Sequence, residues 1–88
     1  MGGAGTIMVD EMRACSGVYY CHMAIDSADL ESLHEFAARL GLRREWFKAD
    51  SVPHYTLNRG QRQKAKKLGA QYVPYREMFT MAREAQKR

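Results

Sequence analysis

The sequence predicts a small α/β or α+β domain, a three- to four-stranded mixed sheet with about three helices packed on it. Three observations predict it. Short runs rich in β-branched and aromatic residues alternate with segments of helical apolar spacing. Glycines and capping residues punctuate the ends of those segments. The chain has 88 residues, 45% of them hydrophobic and 27% charged, which suits one compact core and leaves little room for a second.

Residues 1–5 read as a flexible leader, 6–85 as the globular domain and 86–88 as a frayed polar tail. The first six residues also match the permissive N-myristoylation pattern, to which the flexible leader is preferred. Thr6 to Val9 is a first strand, and Asp10-Glu11-Met12-Arg13 leaves it as a polar turn. After Gly17, the run Val18 to Ile25 is a second strand.

A helix over 27–40 follows, capped by Asp26 or Ser27, with Asp29 and Glu31 in its first turn. Leu30, Leu33, Phe36, Ala37 and Leu40 form its apolar stripe, and Gly41 supplies a left-handed end. His34 is expected off the stripe, exposed and without a role.

Trp46-Phe47 must bury or bind. Trp46 reads as a core anchor; its other reading is a ligand-stacking wall beside His54. Residues 50–53 form a loop and His54 to Leu57 a short strand. Asn58 caps a helix over 59–68 that ends at Gly69, with a thin apolar face of Ala65 and Leu68. Gln71 to Val73 is a last strand, and Pro74 opens a final helix through Tyr75, Met78, Phe79 and Ala82. Strands alternating with helices favour right-handed crossovers and some parallel pairing.

No apolar run approaches the roughly 20 residues that span a bilayer, and no secretory signal opens the chain. A cytoplasmic location is the expectation, with Cys15 and Cys21 as reduced thiols. The net charge of +4 is concentrated. Segment 59–67 carries five cations and no acid, whereas the rest has nine basic and ten acidic residues.

Several landmarks together resemble one known family. They are Val9-Asp10-Glu11-Met12-Arg13, Cys21-His22-Met23 followed by Asp26, and the stretch from Leu33 to Gly41. Arg44, Trp46-Phe47, His54-Tyr55, Lys64-Ala65, Leu68-Gly69-Ala70 and Arg76-Glu77 continue the likeness. The chain is similar over residues 6–80 to the bacterial and phage family called "domain of unknown function 4031". The resemblance implies a small stand-alone domain and brings no activity or cofactor with it. The family pattern has an acid after the His-Tyr pair where this sequence has Thr56, so chemistry that needs that acid is not expected here.

Two constellations carry the functional expectations. Asp10, Arg13, His22, His54 and Tyr55, with Trp46 beside them, place polar groups at predicted strand ends. An arginine and two histidines there suit a phosphorylated or nucleotide-like anion, and a histidine with a carboxylate partner suits proton transfer near neutral pH. The plainer reading makes Asp10 a turn residue, Arg13 a surface cation and His22 a strand residue whose polar atoms are satisfied.

The second constellation is Arg59, Arg62, Lys64, Lys66 and Lys67, a basic helix suited to nucleic acid or an acidic protein. Its plainer reading is a solvated helix face. Trp46, Tyr19, Tyr20 or Tyr55, if exposed, would add base stacking. A third expectation, a protein-contact patch, would involve Met78 and Met81. No metal site is expected: Cys15, Cys21, His22 and His54 match no usual zinc spacing, and Cys21 and His22 point to opposite faces of a strand.

Overall fold

In the computed structural model, which describes residues 5–50 and 52–87, the first strands form one hairpin with a fault in it. Strands β1 (Ile7–Val9) and β2 (Arg13–Cys15) pair in succession with the long strand β3 (Val18–Ile25), both antiparallel. The chain reverses at Ser16-Gly17 with φ of 54° and 82°, the pair of positive angles that suits a two-residue hairpin turn.

Register explains the fault. Val9 lies opposite Met23, and the Asp10 N–H donates to the His22 carbonyl at 3.2 Å, yet Arg13 lies opposite Tyr20. Glu11 and Met12 therefore share the place opposite Cys21, which is a β-bulge. The turn expected at Asp10 to Arg13 is corrected to this bulge. The tight turn at Ser16-Gly17 keeps the chain alongside β3, so pairing resumes at Arg13.

Strand β4 (Tyr55–Leu57) pairs antiparallel with β3, and β5 (Gln71–Tyr72) pairs parallel with β1. Among the described residues this gives a five-stranded mixed sheet and three α-helices, an α+β domain.

The helix ends are set locally. Helix α1 (Leu30–Arg39) is capped by Asp29, whose carboxylate accepts from the Ser32 N–H. The cap is not Asp26, because its N–H still pairs with Thr6, nor Ser27, whose hydroxyl accepts from the Asp29 N–H. Helix α2 (Arg59–Lys67) starts in a reciprocal capping box between Asn58 and Gln61. Both helices end alike. The Leu42 N–H reaches the Ala37 carbonyl around Gly41, and the Ala70 N–H reaches Ala65 around Gly69. Helix α3 (Tyr75–Gln86) runs into the expected tail, where the Gln86 amide donates to the Ser27 carbonyl. Of the expected leader and tail, residues 1–4 and 88 lie outside the described residues, as does residue 51 of the expected loop.

Strand alternation divides the core. Val9, Cys21, Met23, Ile25, Tyr55 and Leu57 face α1 and α2. Met8 and Ala24 face α3 through Met78 and Ala82, with Val52 completing that layer. Met78, expected in a surface patch, is fully buried in this layer; only Met81 is exposed. Among the described residues no helix is long and apolar enough to cross a membrane.

Candidate functional site

The bulge builds the site. Asp10 and His22 both point to the α3 side of the sheet, as Met8 and Ala24 do one alternation away. The Asp10 side chain is 0% exposed and accepts twice, from the His22 backbone N–H at 2.6 Å and from His22 Nδ1 at 2.8 Å. Because the carboxylate takes the His22 N–H, the Asp10 carbonyl is released from the ladder, and Arg62 Nε of α2 donates to it at 2.9 Å. A buried carboxylate without such donors would be costly, so the pairing is what makes the position tenable.

The His22 ring, 14% exposed, is surrounded by aromatic rings. His54 meets it edge-on with centroids 5.3 Å apart, and Tyr20, Tyr75 and Phe79 lie within 5.7 Å. His54 Nδ1 donates to the Val52 carbonyl at 2.7 Å. Both imidazoles thus use Nδ1 on the protein and keep Nε2 for other partners.

Arg13 and Glu11 join the site to the start of α3. The Glu11 carboxylate accepts from the Tyr75 N–H at 3.1 Å, an external cap for a helix whose own N-cap residue is Pro74. Arg13 lies 3.6 Å from Glu11, and its guanidinium sits 4.3 Å from the Tyr75 ring centroid. The Arg13 Nε is buried and has no hydrogen-bond partner among the described residues.

Of the expected cluster, Asp10, Arg13, His22 and His54 are brought together. Tyr55 is not: one residue along from His54, it faces the opposite side of the sheet and is 1% exposed. Its hydroxyl meets His34 Nδ1 at 2.7 Å, and Phe47 packs against both rings, edge-on to His34 and tilted to Tyr55. His34 is therefore half-buried and bonded, not exposed and idle; it lies four residues after Leu30, which returns it to the apolar stripe. Trp46 is also corrected. It is 48% exposed at the end of a short 3₁₀ turn (Arg44–Trp46), and Phe47 takes the packing place expected of it. Trp46 takes part in none of the ring contacts around His22.

Tyr20, Tyr75, Phe79 and Glu11 are members that sequence reasoning missed. Tyr20 was legible, two residues before His22 on the same strand face. The Glu11 contact spans 64 residues and leaves no local signal. Among the described residues, no group of three or more His, Cys, Asp or Glu side chains is placed to hold a metal ion. A shallow depression lined by Arg76, Glu77, Thr80 and Met81 has no wall from any element but α3 and is not part of the site.

The basic helix lies across the sheet from this cluster. Lys64, Lys66 and Lys67 fall in its last turn, where the helix dipole favours cations. Arg62 is engaged with Asp10, as above. Cys15 is exposed and Cys21 buried, and burial, helped by the Asp10 charge, pushes the Cys21 thiol up to about 12.

Fold and site define a small α+β domain with a buried Asp–His pair at a bulged sheet. The sequence pattern of the family described as Protein of unknown function (DUF4031) matches residues 7–85, and the chain belongs to that family. No curated protein and no solved structure matches it.

Proposed function

We propose that the domain binds a small phosphorylated or nucleotide-like anion at Asp10, Arg13, His22 and His54. The observation that carries this reading is the bond from His22 Nδ1 to the fully buried Asp10 carboxylate. It orients the imidazole and leaves Nε2 to accept or return a proton. His54, fixed through Val52, offers a second Nε2 beside it. The Arg13 guanidinium, whose side chain is 34% exposed, supplies charged donors, and the Arg13–Tyr75 stack supplies a flat wall of the kind a nucleobase occupies.

The test is a two-dimensional NMR titration with inorganic phosphate and then a nucleoside monophosphate. Shifts are expected at Arg13, His22 and His54, and His54→Ala and Arg13→Gln should each weaken binding. An unchanged spectrum, or affinity untouched by both substitutions, would refute the reading.

A second reading concerns α2, a binding surface for a polyanion, either nucleic acid or an acidic protein. It is favoured by five cations without an acid over residues 59–67. Binding of short nucleic acid or polyglutamate that falls steeply with salt is expected, and no binding at low salt would rule it out.

A further inference from the structure

The sheet face beside α2 carries two large exposed aromatic side chains. Tyr19 is 57% exposed and Tyr72 is 51% exposed. Tyr19 alternates with Cys21 on β3, and Tyr72 is in register with Val9, so both stand on the face that α2 covers. Each is overlain by an arginine of that helix. Arg59 lies 5.4 Å from the Tyr19 ring centroid, and Arg62 lies 5.9 Å from that of Tyr72. Arg59 and Arg62 are three residues apart, so they project from adjacent turns of one helix face, and Lys66 extends that face.

Folding uses only part of these rings. Tyr19 and Tyr72 keep about half of their surface open, while α2 is anchored by the fully buried Ala65, the partly buried Leu68 and the Arg62 bond to the Asp10 carbonyl. Two aromatic platforms set beside a cationic helix are the combination that grips a single strand: cations neutralise phosphates while bases stack on rings. In a duplex the bases are already stacked on one another and cannot reach the tyrosines. An acidic peptide would use the cations but gain nothing from the rings. Strand spacing and rise place the two tyrosines about 16 Å apart, a span that a few nucleotides of an extended strand cover.

We infer that the α2 face binds single-stranded nucleic acid, with bases stacked on Tyr19 and Tyr72 and phosphates held by Arg59, Lys66 and the outer nitrogens of Arg62. This rests on the second reading of α2 above and adds the partner to it. The site is separate from the His22 cluster, which lies on the other face of the sheet.

The test is fluorescence anisotropy of the full chain with a short labelled single strand, the same sequence as duplex, and labelled polyglutamate. The single strand should bind best, and its affinity should fall steeply as salt rises. Tyr19→Ala and Tyr72→Ala should each weaken it about tenfold with an unchanged circular dichroism spectrum, and Tyr19→Phe should restore it. The charge arm uses Arg59→Glu and Lys66→Glu, because Arg62 also secures the Asp10 carbonyl.

If both tyrosine substitutions leave affinity unchanged, or duplex or polyglutamate binds as tightly, the stacking proposal fails while the polyanion reading survives. If none of the three probes binds at low salt, both fail.

Discussion

Removing the Asp10 carboxylate tests both the fold and the proposed chemistry. Asp10→Ala strands two donors at once, the His22 backbone N–H and the Nδ1–H of its ring. Each donor left unpaired costs about 1–3 kcal/mol. The ring side is relieved only slightly, since the His22 side chain keeps 14% exposure. A loss of about 2–5 kcal/mol is expected, a large part of a small domain's stability, and Tm should fall by at least about 10 °C. Asp10→Asn separates the two bonds. Its carbonyl can still accept from the His22 N–H, but its amide must then face Nδ1 as a donor. The imidazole has to turn to the other tautomer, with Nδ1 accepting and the proton on Nε2. Exchanging a charge-assisted bond for a neutral one costs about 1 kcal/mol, so this variant stays folded. Thermal denaturation reads the first effect. The ring ¹⁵N shifts of His22 read the second. An alanine variant that loses less than about 1 kcal/mol, or an asparagine variant that keeps its proton on Nδ1, would refute the reasoning.

Three further outcomes follow from burial. A thiol-selective reagent should label Cys15 in the native protein and reach Cys21 only on unfolding; two thiols reacting together would contradict the packing. The same thiol, raised from 9.0 to about 12, makes the fold less stable as pH climbs through that interval, because the unfolded chain loses its proton first. His34 acts at the other end of the scale. Burial, with the Arg44 charge, holds its imidazole below the ordinary 6.5, against a smaller pull from Glu31. The unfolded chain therefore takes up the proton first as pH falls below 6.5, and stability present above that value is lost. Between about pH 7 and pH 5, Tm should fall less in His34→Gln than in the parent chain. Equal falls would remove His34 as the cause.

What was legible in the sequence, and what was not, divides by distance along the chain. The helices were legible because their signals are local. Asn58 and Gln61 cap one another within a single turn, and Gly41 and Gly69 end their helices with φ of 82° and 115°. Strand alternation, once Thr56 is set opposite His22, places His22 and His54 on one face. It separates Cys21 from His22, and by the same rule it separates His54 from Tyr55. The bulge was not legible. Asp10 to Arg13 has the composition of a turn, and only the pairing of Arg13 with Tyr20 reveals one surplus residue instead of a reversal. That surplus residue makes the site. In an unbroken ladder the Asp10 carbonyl would take the His22 N–H, and Arg62 would have no bond to it. With the bulge, the Asp10 side chain replaces its own carbonyl and holds the histidine twice. Glu11 and Arg13, displaced beyond it, reach the first turn of α3 and bring Tyr75 against His22. The residue types at the site can be read from the chain, but their convergence comes from a register shift of one residue.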